Sequence, residues 1–385
     1  CMWVVLSVGL WLFLASFLEM PVSTTHSCVG GMIGMAWALG GSKCVIWYAP
    51  LSTFPYIGGV GGIVMSWIFS PVLSGIIAST TYYGMRAVVL RHPYESYRIY
   101  ILYPILVGST MTLNTFFIIY KGAKGIGLHK IDLTISLTAA FGVGIASGCA
   151  IIPCIPRLRE KINHKYLDYK SDTTMQIVPA PNDLDNQQTN DIESRPVASE
   201  AGITSEAGTT SASKSSSSSS MPELPDVIDI TDNDFERVNE IHKTAEKFDP
   251  RTEETFKLLQ VFTAMCDSFS HGANDVANAI GPFAAIYTIY QVGDVRKNSV
   301  MDANAYWILS LGGIGITLGL FLYGYNIIRA IGTKLCKITP SRGVAIELSS
   351  AIVIITGSRL KIPLSTTHCQ VGATIGVGML ENIKK

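Results

Sequence analysis

The stretch Pro21–His26 reads Pro-Val-Ser-Thr-Thr-His, and the stretch Pro363–His368 reads Pro-Leu-Ser-Thr-Thr-His. The two copies are related by a constant offset of 342 positions (365 − 23), and each opens an apolar, glycine-rich stretch. Three adjacent hydroxyl residues at a helix start place side-chain hydroxyls beside unpaired backbone N–H groups, which suits a small anion. Two copies in one apolar chain predict a transporter built from repeats, with its site where the repeats meet.

The composition is that of a membrane protein. Mean hydropathy is +0.33, apolar residues make up 48%, and charged residues only 15% against a usual share of about a quarter. The formal net charge of +0 gives no support for nucleic-acid binding. The eight cysteines show neither a Cys-x-x-Cys pair nor a zinc spacing, so we interpret them as small hydrophobic residues. No cofactor is expected.

Apolar segments recur along the chain, and several are too short to cross a bilayer, which takes roughly 20 residues. Val29–Leu39 is short enough to be one arm of a re-entrant hairpin, and Val45–Tyr83 is long enough for one kinked helix or two passes. Short segments interrupted by Gly and Pro in both halves indicate discontinuous helices. The predicted fold class is an all-α polytopic membrane protein, an inverted-repeat transporter with discontinuous helices and two re-entrant hairpins.

A central segment divides the two apolar portions. We predict an N-terminal membrane portion over 1–155, a disordered serine-rich loop over 156–250, and a C-terminal membrane portion over 251–385. The loop contains the unbroken run Ser215–Ser220 and few aromatic residues, so it cannot bury enough apolar surface to order itself. Basic residues on both flanks predict that the loop is cytoplasmic.

A second motif, His271–Pro282, lies in apolar surroundings and carries Asn274, Asp275 and Asn278. Their hard oxygens suit a hard cation such as Na⁺ rather than a soft transition metal. Gly272 and Gly281-Pro282 would allow the helix to break and release carbonyl ligands. Ionisable residues at membrane depth are costly and therefore functional candidates, here Asp275, Asp267 and Glu347.

Each motif also has a structural alternative. Asn274 and Asn278 can act as polar links between helices, and a Ser-Thr-Thr triplet can simply cap a helix. The asparagine–aspartate cluster favours an ion site over the first alternative. The duplication favours an anion site over the second, because capping needs only one such residue.

These residues resemble the signatures of the inorganic phosphate transporter (PiT) family, and the serine-rich loop is similar to that of fungal-type sodium/phosphate symporters. The resemblance covers about residues 2–155 and 255–381. It implies an inverted-repeat fold with paired re-entrant hairpins that carries phosphate with sodium. The implied phosphate-binding residues are Ser23, Thr24, Thr25, Ser365, Thr366 and Thr367; the implied sodium-binding residues are Asn274, Asp275 and Asn278; and Glu347 matches a glutamate needed for transport, here interpreted as a coupling residue.

In one respect the chain differs from the family pattern. The family carries the Gly-Ala-Asn-Asp motif once in each half, whereas one copy is present here. The other copy is expected upstream of Met2, so we interpret the chain as a fragment that is truncated at its start and at its end.

The predicted function is therefore a symporter that carries inorganic phosphate across the lipid bilayer, with sodium as co-substrate and no other metal. A sulfate permease or a proton-coupled oxyanion permease of the same fold is an alternative, and an ion channel is an alternative of another class. An enzyme is not expected, since no nucleophile–base pair or nucleotide loop is found. The expected location is the plasma membrane, and a homodimer is a further expectation.

Overall fold

A computed structural model of the chain describes residues 2–18, 20–52, 56–120, 131–165, 238–239, 241–293, 306–360 and 362–382. The contacts discussed below all lie within one compact unit, which comprises Cys1–His164 and Glu236–Lys385. Most of the predicted serine-rich loop, including Ser215–Ser220, lies outside the described residues. Its two described ends are structured: residues 155–165 are helical, and residues 241–249 pack against the membrane portions.

The first portion consists of five α-helices and one very short hairpin within its described residues. The elements are α1 (Met2–Phe17), α2 (Thr24–Gly40), β1 (Ala49–Pro50), β2 (Ile57–Gly58), α3 (Gly59–Met85), α4 (Glu95–Ile119) and α5 (Leu133–Ile151). The strands pair antiparallel, with Ala49 opposite Gly58 and Pro50 opposite Ile57. The long apolar segment Val45–Tyr83 thus forms one helix preceded by the hairpin, rather than two passes.

The second portion contributes five further α-helices among the described residues. They are α6 (Pro250–Val292), α7 (Tyr306–Gly319), α8 (Tyr325–Lys334), α9 (Pro340–Arg359) and α10 (Thr366–Asn382). Helices α3 and α7 each run into a π-helical turn, Arg86–Leu90 and Leu320–Gly324. Such turns inside helices are rare and mark local irregularity in an otherwise regular path.

Four helical stretches in the described part of the chain are long and apolar enough to cross a membrane: Gly59–Leu90, Glu95–Ile119, Leu133–Lys165 and Tyr306–Gly324. Large apolar side chains on them are exposed, for example Ile68 at 67% and Phe321 at 84%. Exposed apolar surface on this scale is expected where lipid rather than water is the solvent. The multi-pass membrane architecture predicted from the sequence is confirmed.

Helix α3 packs closely against α10 through small residues. Its buried face repeats every four positions as Ser66, Ser70, Ser74 and Ala78. Two of these serines donate hydrogen bonds across the interface, Ser66 Oγ to the Pro363 carbonyl at 2.7 Å and Ser74 Oγ to the Cys369 carbonyl at 2.7 Å. Small residues allow membrane helices to approach closely enough for such side chain to backbone bonds.

Glycines on α10 make this approach possible. A Cβ added at Gly372 would collide with the carbonyl of Pro71, and one added at Gly376 would collide with the carbonyl of Gly75. The two backbones are therefore in direct contact. This crossing fixes where α10 begins and so positions the second Ser-Thr-Thr sequence.

A buried ionic cluster holds four parts of the chain together near the ends of α3 and α10. Arg342 is fully buried and donates from Nε to Glu381 at 3.2 Å and from Nη2 to the Glu246 carbonyl at 2.7 Å. Glu381 also accepts from the Tyr82 hydroxyl at 2.6 Å and from the Glu246 backbone N–H at 2.7 Å. Because every partner is charged or polar, the buried guanidinium is compensated.

Glu246 extends this cluster to the protein surface. Its carboxylate accepts two hydrogen bonds from Arg91, at 3.0 and 2.9 Å. These bonds hold the pKa of Glu246 below its ordinary value. A lowered carboxylate pKa contributes stability that is present above the unfolded-state value and lost as the pH falls through the folded-state value. The pairing therefore persists at neutral pH.

Gly372→Ala should lower the stability of the protein by about 1–3 kcal/mol, since the new Cβ must displace the Pro71 backbone. The matched control is Gly30→Ala, at the equivalent repeat position (372 − 342), where a Cβ would meet nothing within 4 Å. The control should be neutral or stabilising by roughly 0.5–1 kcal/mol. Thermal unfolding of the detergent-purified protein compares the two. Equal melting temperatures would show that the α3–α10 contact is not tight.

Glu381→Gln should destabilise the protein by about 3 kcal/mol, because it leaves Arg342 buried without a negative partner. The same substitution at Glu160, which is exposed, serves as the control. The measurement is the apparent melting temperature of each variant in detergent. A Glu381 variant that melts with the wild type would contradict a structural role for the cluster.

Candidate functional site

The two Ser-Thr-Thr sequences form the same local structure. Ser23 precedes α2 as its N-cap, and its side chain accepts a hydrogen bond from the His26 N–H at 3.3 Å. Ser365 does the same before α10, where it accepts from the His368 N–H at 3.2 Å. The serine side chain thus satisfies one of the backbone donors that a helix start leaves unpaired. In both copies the first hydroxyl is a cap, and the threonines after it start the helix.

The two helix starts also contact each other. Thr25 Oγ1 donates to the Leu364 carbonyl at 3.3 Å, and Thr367 Oγ1 donates to the Val22 carbonyl at 3.4 Å. Both donors and both acceptors are related by the repeat offset of 342 (367 − 25 and 364 − 22). The contact is therefore reciprocal, as in a two-fold symmetric interface.

The histidines that follow the threonines meet at the same place. The rings of His26 and His368 lie edge to face with their centroids 4.6 Å apart, and the Trp67 ring lies 4.8 Å from that of His26. Most of the six hydroxyl residues are buried: Ser23, Thr25, Ser365 and Thr366 are each at most 7% exposed. Residues at opposite ends of the sequence thus share one buried site.

Helix α6 supplies one side chain to each helix start. Asn278 Nδ2 donates to Thr25 Oγ1 at 2.8 Å, and Thr366 Oγ1 donates to Asp275 Oδ2 at 2.9 Å. Asn274 Nδ2 lies 3.4 Å from the other carboxylate oxygen, Asp275 Oδ1. Two of the three residues that the sequence singled out, Asp275 and Asn278, therefore contact the two hydroxyl sequences, and Asn274 contacts Asp275.

The helix break expected at Gly272 or Gly281-Pro282 is not present, because α6 runs continuously from Pro250 to Val292 with Pro282 inside it. Proline lacks an N–H, so Pro282 cannot donate to the carbonyl four residues earlier, which belongs to Asn278. That carbonyl loses its helical partner although the helix is unbroken. Asn278 therefore offers a backbone oxygen in addition to its side chain.

Thr24 and Glu347 lie away from this contact. Thr24 is half-buried and borders an apolar pocket between α1 and α6, together with residues such as Val8 and Pro282. Glu347, on α9, accepts hydrogen bonds from Thr263 and, at 3.5 Å, from Gln260, both on α6. Thr263 precedes Asp275 by 12 residues (275 − 263), or about 18 Å of helix. The structure thus connects Glu347 to the site along α6 and not by contact.

Asp267 has its own partner. It is 7% exposed, and its Oδ1 lies 3.1 Å from His271 Nδ1 on the next turn of α6. Its charge faces the imidazole, which leaves Asp275 as the carboxylate that contacts the hydroxyl residues. The structure also identifies three neighbours that the sequence analysis did not single out: Trp67 contacts His26 at the site, and Thr263 and Gln260 contact Glu347 away from it. Trp67 lies on α3, and the four-residue spacing of serines on that helix was the one sequence signal that α3 packs beside the site.

The electrostatics of the site follow from its parts. Two helix N-termini converge, and each contributes about half of a positive elementary charge. Asp275 contributes about one negative charge, so the two contributions roughly cancel. The site therefore presents hydroxyl and amide groups for an oxyanion and carboxylate and amide oxygens for a cation, with little net charge of its own.

Comparison with known proteins identifies the family. The model of the phosphate transporter family matches residues 1–385. The chain belongs to this family. The resemblance drawn from the two repeated motifs and from His271–Pro282 is thereby confirmed, and so are the expectations of a transporter and of a protein that is not an enzyme.

Named relatives of this phosphate transporter agree with that assignment. The "Phosphate-repressible phosphate permease pho-4" of Neurospora crassa is 28% identical over 463 residues, which cover 97% of this chain and 76% of the relative. The "Sodium-dependent phosphate transporter 1" of Felis catus is 26% identical and covers 98% of this chain and 77% of its own. A "Sodium-dependent phosphate transporter" of Toxoplasma gondii is 44% identical over a shorter stretch, 42% of this chain and 18% of its own.

A solved structure supports the fold of the phosphate transporter as well. The structure described as "The sodium-dependent phosphate transporter" superposes with a TM-score of 0.65 at 26% identity, over 98% of this chain and 69% of the other. The similarity extends over both portions of the chain. The helices that carry the site are thus part of a shared architecture.

Proposed function

We propose that this phosphate transporter carries phosphate together with sodium, with phosphate held between the starts of α2 and α10 and sodium held by Asn274, Asp275 and Asn278. The observation that carries the proposal is the placement of Asp275 and Asn278, one against each of two reciprocally bonded helix starts. A cation on α6 would touch both halves of the anion site. The names of the relatives support sodium as the co-substrate.

Charge balance explains why the anion needs a cation. Phosphate carries about one to two negative charges near neutral pH. Burying them without compensation would cost far more than the hydrogen bonds return. The helix N-termini are already offset by Asp275, so the missing positive charge must arrive with the substrate. Bound sodium supplies it, and each ion then raises the affinity for the other by the same factor.

The serines and threonines of the two motifs are proposed to have different roles. Ser23 and Ser365 fix the helix starts as caps, and we propose that phosphate then takes hydroxyl hydrogen bonds from Thr25, Thr366 and Thr367. These threonines now donate to carbonyl or carboxylate oxygens. An oxyanion entering between the helices would replace those acceptors. Thr24 is proposed to contribute from the α1 side of the same helix start.

Glu347 is proposed to act in coupling rather than in phosphate binding. It contacts α6 through Thr263 and Gln260, whereas the sodium ligands lie about 18 Å further along that helix. A displacement of α6 along its axis would change both places together. Alternating access by rocking of the two repeats about the shared site is consistent with this arrangement.

The side of the loop follows from charge distribution. We propose that residues 156–250 are cytoplasmic, because Arg157, Arg159 and Lys161 on one flank and Lys243 and Lys247 on the other favour the inner side of the membrane. The plasma membrane is the location that the family resemblance implies, and it is proposed on that ground. The re-entrant hairpins and the homodimer stay predictions.

Asp275→Asn should abolish sodium-stimulated phosphate uptake, because an amide cannot supply the negative charge that holds the cation beside Thr366. The measurement is uptake of labelled phosphate into proteoliposomes with and without an inward sodium gradient. Asp132→Asn is the control: Asp132 caps α5 through the Leu133 N–H at 2.9 Å, and asparagine caps a helix equally well. Normal uptake by the Asp275 variant would remove this residue from the site.

Thr366→Val should raise the phosphate concentration for half-maximal uptake about tenfold, which corresponds to about 1.4 kcal/mol of lost binding. The half-maximal sodium concentration should change much less, since Asp275 keeps both its oxygens. Thr374→Val is the matched control, a buried threonine on the same helix whose hydroxyl donates to the Gln370 carbonyl at 2.9 Å. An equal change in both half-saturation values would assign Thr366 a structural role only.

A further inference from the structure

The helix pair α9–α10 brings an arginine close to the phosphate site. At one end of the pair, Arg342 near the start of α9 donates from Nε to Glu381 near the end of α10. At the other end, the short connection 360–365 joins the two helices. Arg359 is the last residue of α9 and Thr366 is the first residue of α10, so both lie at this second end of the pair.

The connection is folded onto α9 rather than extended. The Leu364 side chain covers Gly357, where an added Cβ would collide with it, and the Ile362 N–H donates to the Gly357 carbonyl at 2.9 Å. Leu364 is also the residue whose carbonyl accepts from Thr25. The end of α9 is therefore held directly beside the contact between the two helix starts.

An aromatic ring faces the half-buried side chain of Arg359. Its Cζ lies 4.4 Å from the centroid of the Phe117 ring on α4, and that ring meets Phe269 on α6 edge to face at 6.3 Å. Phe269 precedes Asp275 by six residues (275 − 269), or about 9 Å along α6. A ring beneath a guanidinium stabilises it without neutralising its charge. Arg359 thus lies beside the site as a cation.

The carboxylates of the helices around Arg359 are engaged or distant. On α6, Asp267 pairs with an imidazole at 3.1 Å, and Asp275 accepts from a threonine hydroxyl at 2.9 Å. Glu95 on α4 lies 22 residues before the aromatic contact (117 − 95), and Glu347 on α9 lies 12 residues before Arg359 (359 − 347). These separations correspond to about 33 and 18 Å of helix.

Two further acidic residues complete this account of charge. Asp132 caps α5 by accepting from the Leu133 N–H at 2.9 Å, and Glu19, which precedes α2, lies outside the described residues. The titratable neighbour of Arg359 is the phenol of Tyr120 rather than a carboxylate. In the part of the chain that the structure describes, no carboxylate forms an ion pair with this arginine.

Polar atoms at this end of the helix pair also lack hydrogen-bond partners among the described residues. Three buried atoms share this property: Ser358 Oγ, Arg359 Nε and His368 Nδ1. An unpaired buried polar atom is costly, so such atoms indicate a ligand. Two of the three belong to adjacent residues at the end of α9. A guanidinium and a hydroxyl both donate hydrogen bonds, which suits an oxyanion.

We propose that Arg359 and Ser358 form an entry subsite that binds phosphate beside the transport site. The guanidinium donates paired hydrogen bonds to the phosphate oxygens. The anion then passes to the threonines at the helix starts, where bound sodium compensates its charge. The subsite rests on the proposed function, because it delivers phosphate to the site between α2 and α10.

A structural role for Arg359 is the alternative. A basic residue in the last turn of a helix interacts favourably with the helix dipole. That role predicts that a substitution changes stability and the amount of active protein. An entry subsite predicts a change in the affinity for phosphate that depends on ionic strength.

Arg359→Gln is tested by initial rates of labelled phosphate uptake into proteoliposomes under a saturating inward sodium gradient. The half-maximal phosphate concentration should rise about tenfold at low ionic strength. The rise should be clearly smaller when choline chloride is added to about 0.5 M, because salt screens a partly exposed charge. The maximal rate and the half-maximal sodium concentration should stay close to those of the wild type.

Two further variants complete the experiment. Arg359→Lys keeps the charge but loses the paired N–H donors, so its half-maximal phosphate concentration should rise about threefold. It also carries the test if Arg359→Gln fails to fold, which the melting temperature in detergent reveals. Arg157→Gln is the matched control: it removes the same charge from an exposed position after α5 and should transport like the wild type at both ionic strengths.

An unchanged half-maximal phosphate concentration in both Arg359 variants would overturn the proposal. So would an equal change in the Arg157 variant, which would reduce the effect to net charge, or a lower maximal rate with unchanged half-saturation, which would assign Arg359 a structural role. Failure of the proposed function gives a different result. In that case Thr366→Val leaves phosphate half-saturation unchanged, whereas failure of the entry subsite alone leaves the Thr366 effect intact.

Discussion

Two hydrogen bonds organise this protein: Thr25 to the Leu364 carbonyl and Thr367 to the Val22 carbonyl. Each joins a residue near one end of the sequence to one near the other, and the repeat offset makes them equivalent. A reciprocal contact of this kind brings two helix N-termini to one point through hydroxyl and backbone carbonyl groups. This backbone geometry supports the proposed oxyanion site before any charged side chain is considered.

Helix α6 adds the groups that support the proposed cation site beside the proposed anion site. Its residues Asp275 and Asn278 each bond to a different helix start, so a cation bound between them would lie close to both repeats. Pro282 releases the Asn278 carbonyl without breaking the helix. The polar face that would be unfavourable in lipid is tolerated because it lies against α2 and α10 rather than against the bilayer.

The rest of the fold holds these helix starts in place. Glycines at 372 and 376 let α10 press against the α3 backbone, and serines on α3 bond to carbonyls at the beginning of α10. At the opposite end of α10, Glu381 joins Arg342 and the backbone of Glu246. Helix α10 is therefore fixed at both ends, and the segment that precedes α6 is attached to the same cluster.

The sequence by itself determined the membrane class and the repeated Pro-x-Ser-Thr-Thr-His phrase, and it predicted an ion site at Asn274, Asp275 and Asn278, because these depend on local composition, on a repeated motif and on spacing along one helix. The tertiary structure alone decided the partners. It placed Glu347 against Thr263 on α6, kept α6 continuous, and set Thr24 beside α1. Contacts such as Thr25 with Leu364, or Arg342 with Glu246, join residues far apart in sequence, and no local pattern encodes which distant groups share a buried space.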